Sequence, residues 1–125
     1  MNGVAVAIAV GLAGALGAVS RYLIDGAVQD RSTGVFPFGT LTVNVAGSLV
    51  LGVVAGLVLR HGVPGTLQSV IGAGFCGGLT TWSTASWEAV RLAEEASVGT
   101  ALRYTLINLA ASLAAAAGGL LVVWP

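Results

Sequence analysis

Four long stretches without a charged side chain constrain this chain more than any other feature: Met1 to Ser20, Ser32 to Leu59, Gly62 to Trp87 and Tyr104 to Pro125. Each is about 20 residues or longer, the length an α-helix needs to cross ~30 Å of hydrocarbon. The sequence therefore predicts an all-α membrane protein with four transmembrane helices, forming one unit over residues 1–125. Charge content agrees, since 8% of residues are charged, against roughly 25% in an ordinary soluble domain. Those charges are five Arg and five acids, with no Lys and zero formal net charge. Without a basic cluster, neither nucleic acid nor an anionic membrane surface is an expected partner.

Met1 to Ser20 lacks a basic leading segment and is followed by three more spans, so it reads as a first helix rather than a signal peptide. That helix is expected over about Val4 to Leu23, with Gly11, Gly14 and Gly17 forming a thin packing face. A loop from about Asp25 to Gly39 leads to a second helix, about Thr40 to Leu59, where Gly52 and Gly56 offer another small-residue contact. Arg60 and His61 mark its exit into water, with His61 a solvated loop residue. The third segment, about Thr66 to Val90, is expected to break at Gly77-Gly78 into two half-helices. A fourth helix runs from about Thr100 to Val123, with Trp124 as an interfacial anchor. No repeat is evident along the chain.

The break introduces a dense run of hydroxyls, Thr80, Thr81, Ser83 and Thr84, inside an apolar segment. Lipid offers no hydrogen bonds to the backbone groups such a break frees. Two further polar sets recur every four residues, Thr40, Asn44 and Ser48 on the second helix and Tyr104, Asn108 and Ser112 on the fourth, so each lines one helix face. Either stripe alone reads first as glue between helices. Taken with the hydroxyls, the stripes supply neutral donors that can replace the hydration of a small anion without trapping it. The edges of Phe75, Trp82, Trp87 and Tyr104 carry partial positive charge and suit the same ligand.

Arg21 near the end of the first helix either snorkels to the interface, the first reading, or docks on carbonyls or a carboxylate of another helix. Glu88 and Arg91 are expected at interfacial depth. An enzyme is not expected: the only His lies in a loop, and the only Cys, Cys76, has no evident base and packs as a small hydrophobe. Metal ligands of the His/Cys type are too few, whereas unwound carbonyls at the break suit a hard cation such as Na⁺.

Three motifs in order, Gly14-Ala-Leu-Gly-Ala-Val-Ser-Arg-Tyr22, Phe38-Gly-Thr-Leu-Thr-Val-Asn-Val-Ala-Gly47 and Gly74-Phe-Cys-Gly-Gly-Leu-Thr-Thr-Trp-Ser-Thr84, resemble those of the Fluc/CrcB fluoride channels. The resemblance covers nearly the whole chain. It implies an antiparallel, dual-topology dimer in the cell inner or plasma membrane, with two narrow pores at the subunit interface that let fluoride leave the cell passively. It also implies a structural Na⁺ at the dimer interface, held by the carbonyls of Gly77 and Thr80. Along the pore, family positions match Asn44, Trp82, Ser83, Thr84, Tyr104, Asn108 and Ser112, and near the vestibules Arg21 and Glu88.

One departure stands out, because the family's third helix normally carries two pore-lining phenylalanines three residues apart, and this chain has Trp82 and Ala85 there. A homodimer would have altered pores, so a heterodimer with a phenylalanine-bearing paralogue is the second expectation. The charge bias leaves fixed and dual topology open: Arg21, Arg31, Arg91 and Arg103 against Arg60 if helix ends count, only Arg31 and Arg91 against Arg60 if loops alone count. Two alternatives from other classes are a small multidrug-type proton-coupled transporter, which would be expected to carry an acid within its first helix, and a non-transporting membrane assembly protein.

Overall fold

The computed structural model describes all residues from Met1 to Pro125 and contains helices and no strands. The elements are α1 (Gly3–Asp30), α2 (Phe38–His61), α3 (Gly65–Leu67), a π-helical stretch (Gln68–Cys76), α4 (Gly77–Leu79), α5 (Trp82–Glu95) and α6 (Val98–Val122). Three of these, α1, α2 and α6, are long and apolar enough to cross a membrane. From Gly65 to Leu79 the short helices and the π-helical stretch form one uninterrupted rod, after which the chain turns extended and restarts as α5.

α1 is longer than its apolar stretch. Asn2 caps its start by accepting the Ala5 N–H at 2.9 Å, and the helix continues past Asp25 to Asp30. Charged residues marked the edge of hydrocarbon but not the end of the helix, because nothing before Gly34, which has φ 86°, forces the backbone out of helical geometry. The Ser32 hydroxyl donates to the Val28 carbonyl at 2.8 Å and closes the last turn. At the other boundary, α2 ends where Gly62 takes the left-handed conformation, φ 64°, two residues ahead of Pro64.

Glycines set the packing. A Cβ on Gly17 would collide with the Phe75 carbonyl, and one on Gly78 with the Gly14 carbonyl, so α1 and the rod touch backbone to backbone. Gly11, expected on that face, meets no neighbour. On the opposite side, a Cβ on Gly52 would collide with the Ala116 carbonyl and one on Gly119 with the Leu49 carbonyl, which locks α2 against α6.

The α2–α6 pair is parallel and holds a constant register. Asn44 meets Asn108 and Arg60 meets Trp124, in both cases 64 residues apart. The same offset places Asn44, Ala46, Ser48 and Leu49 over the identical residues Asn108, Ala110, Ser112 and Leu113, a local repeat that the unaligned sequence did not suggest. At the far end, Arg60 Nε donates to the Trp124 carbonyl at 3.1 Å with its guanidinium over the indole, and His61 Nε2 lies 2.7 Å from the Val123 carbonyl. His61 is exposed as expected, yet it fastens the end of α6 rather than standing free in a loop.

The break lies three residues beyond the expected position. Gly77 and Gly78 are helical; the extended residues are Thr80 (φ −81°, ψ 159°) and Thr81 (φ −150°, ψ 120°). Gly78 is there for close approach to α1, not for unwinding, and the chain leaves the helix where polar partners capture its backbone.

Candidate functional site

Asn44 is the partner that captures the break. Its Oδ1 accepts the Thr81 N–H at 2.7 Å while its Nδ2 donates to the Thr81 carbonyl at 3.1 Å, so one side-chain amide replaces the backbone ladder at that residue. The same Nδ2 donates to Asn108 Oδ1 at 3.3 Å, and Asn108 Nδ2 reaches the Tyr104 hydroxyl at 3.5 Å. Both polar stripes thus meet the break in one buried chain of hydrogen bonds. Thr81 is also the N-cap of α5: its Oγ1 accepts the Thr84 N–H at 3.1 Å and lies 3.0 Å from Thr84 Oγ1 and 3.3 Å from Ser83 Oγ. Gly47 completes the junction, because a Cβ there would collide with the Thr80 methyl.

A groove of about 540 Å³ opens over this junction. Asn44, Ser48, Thr80, Thr81, Tyr104, Asn108 and Ser112 supply its polar side, with Leu51, Ala85, Ala89 and Leu109 on its apolar side. None of the residues lining it carries a charge. Ser112 Oγ is buried without a hydrogen-bond partner, a free hydroxyl beside the groove. Tyr104 is fully buried, and Phe36 meets its ring edge-on at 5.4 Å and 87°.

The remaining candidates are placed differently. The Ser83 and Thr84 hydroxyls cluster on Thr81 Oγ1 and do not line the groove. Trp82 lines the groove while 78% exposed, and Trp87 also faces outward. Phe75 is partly buried and contributes its backbone to the α1 contact. Glu88 is partly buried on α5 and outside the groove lining. Arg21 does not snorkel: its Nη1 donates to the Thr80 carbonyl at 3.2 Å, because α1 continues for nine more residues and leaves this side chain facing the break instead of water.

Thr81 is the residue that sequence reasoning undervalued. It was one hydroxyl among four, and the signal for it was the asparagine one helix away whose amide has the shape to grip a peptide unit. Its capture has a consequence for Gly77. In a continuous helix the Thr81 N–H would bond the Gly77 carbonyl; diverted to Asn44, it leaves that oxygen without its helical donor. Gly77 therefore has a freed carbonyl oxygen beside the Thr80 carbonyl, which accepts from Arg21 Nη1, and backbone oxygens of this kind suit a hard cation.

A family model described as CrcB-like protein, Camphor Resistance (CrcB), matches residues 8–120. The chain belongs to the CrcB family. Among its relatives is Fluoride-specific ion channel FluC 1 of Leifsonia xyli, 47% identical over 115 residues, covering 92% of this chain and 84% of that one. FluC 1 of Streptomyces avermitilis is 42% identical over 114 residues, covering 90% of each chain. Fluoride-specific ion channel FluC 2 of Cutibacterium acnes is 49% identical over 83 residues, covering 66% of this chain and 68% of its own. CrcB membership makes the chain a multi-pass membrane protein of a channel family, not an enzyme.

Proposed function

We propose that this CrcB-family chain is a fluoride-selective channel of the cell inner or plasma membrane that lowers cytoplasmic fluoride by passive export. The observation that carries the proposal is the uncharged polar groove at the helix break, in a chain whose relatives are named fluoride-specific channels. A small anion gives up much hydration to enter a narrow path, and neutral donors compensate it without the deep binding that a buried Lys or Arg would create. Asn44 has both amide hydrogens committed to Thr81 and Asn108, so it builds the path. Asn108, Tyr104 and the unpartnered Ser112 hydroxyl face the ion, with Ser83 and Thr84 fixing the start of α5 beside them. Glu88 is assigned to a vestibule, whereas Arg21 is held at the break by the Thr80 carbonyl.

The fourth crossing is the broken segment. Its rod of 15 residues and α5 of 14 together exceed ~30 Å at ~1.5 Å per residue, enough to traverse the bilayer with the break inside. Two such chains, antiparallel, close the groove into pores at their interface, with Na⁺ held by the Gly77 and Thr80 carbonyls as a structural ion. When bound, Na⁺ supplies a positive centre that satisfies backbone oxygens lipid cannot serve.

A heterodimer with a paralogue is favoured by one observation: Ala85 gives the groove lining only a methyl group, while Trp82, also in the lining, is 78% exposed. Fluoride efflux from liposomes tests the function. Release without a proton gradient supports the channel; release or drug uptake only with such a gradient supports a coupled carrier; neither supports an assembly protein.

A further inference from the structure

We infer that Arg21 is a positioning residue that holds the place of the cation at the helix break, so that its guanidinium and the cation compete for the Thr80 carbonyl. The inference rests on the reading of Gly77 and Thr80 as the Na⁺ site. Arg21 Nη1 donates to the Thr80 carbonyl at 3.2 Å from a partly buried position on α1. No carboxylate neutralises it, since the one ion pair in the chain is Arg91–Glu95.

A carbonyl oxygen has two lone pairs and can face both an N–H and a cation. A hard cation sits ~2.4 Å from its oxygen ligands, so with Arg21 in place two positive charges would lie within ~6 Å of each other. At an effective dielectric of about 20 that repulsion is still a few times thermal energy unless the guanidinium withdraws. The coupling is reciprocal: whatever Arg21 costs the cation, the cation costs the Arg21 hydrogen bond. The Arg21 hydrogen bond satisfies an extended residue's carbonyl that lipid would leave bare. When the cation binds, that duty passes to it and the guanidinium is released.

The test titrates Na⁺ against choline at constant ionic strength, reading the thermal stability of the assembled protein for wild type, Arg21→Gln and Arg21→Lys. Arg21→Gln keeps a hydrogen-bond donor and removes the charge, and its half-saturating Na⁺ concentration is expected to fall about tenfold. Arg21→Lys keeps the charge and stays near wild type, an outcome that loss of packing alone would not give. A wild type indifferent to Na⁺ overturns the cation site and this inference with it. A wild type that responds to Na⁺, with Arg21→Gln unchanged or needing more, overturns the role of Arg21 and leaves the site standing. Should Arg21→Gln fail to fold, nitrogen NMR of the wild-type guanidinium decides: faster proton exchange at Arg21 in Na⁺ than in choline is expected, and equal exchange overturns the competition.

Discussion

The side-chain amide of Asn44 holds the N–H and the carbonyl of Thr81 at 2.7 and 3.1 Å, acting across two helices as a substitute for the missing helical hydrogen bonds. Local structure, packing and the groove all depend on this contact, because it fixes where the third segment stops and where α5 begins.

Asn44→Ala is therefore expected to lower stability and transport together. Leaving the Thr81 peptide buried and unpaired costs about 1–3 kcal/mol for each group, and fluoride flux should drop at least tenfold. Thermal unfolding in detergent and efflux from liposomes check the two effects. Undiminished flux would remove Asn44 from the pathway.

Ser112→Ala separates the two properties. The Ser112 hydroxyl is buried without a partner, so deleting it removes an unsatisfied group and leaves stability unchanged or raised by up to about 1 kcal/mol. If that hydroxyl faces the ion, flux falls while the melting temperature does not. A fall in both would make Ser112 a packing residue.

Gly78→Ala should destabilise the protein by about 1–3 kcal/mol, because the new methyl meets the Gly14 carbonyl and neither backbone can yield cheaply. Gly11→Ala, where a Cβ meets nothing, should change stability little. Comparing their melting temperatures in detergent distinguishes a glycine used for close approach from one that packing does not need.

Restoring the family's aromatic pair in Trp82→Phe/Ala85→Phe should raise fluoride flux through this chain expressed alone. Ala85 and the exposed Trp82 both line the groove, so replacing them with two rings is expected to narrow the path. Flux equal to or below wild type would count against the heterodimer.

Much of this architecture was legible from charge and period alone. Three of the four uncharged stretches located the long helices, and the third in chain order holds the broken segment. The four-residue recurrence of Asn44 with Ser48 and of Tyr104, Asn108 and Ser112 matches their shared place in the groove lining, which Thr40 does not join. Gly77-Gly78 misled, since glycine signals either unwinding or close approach, and only the neighbouring Gly14 backbone decides between them. Arg21 misled for a related reason: snorkelling requires water within reach, and the length of α1 beyond Leu23 is set by caps and the first strained glycine, not by hydropathy. The capture of Thr81 by Asn44 spans 37 residues of sequence and has no local signature.

The most direct measurement is fluoride release from liposomes containing the purified chain, alone and together with a phenylalanine-bearing relative, with a potassium ionophore and no proton gradient. The account predicts fluoride leaving faster than from protein-free liposomes and in strong preference to chloride. Release no faster than from protein-free liposomes in both preparations would contradict it.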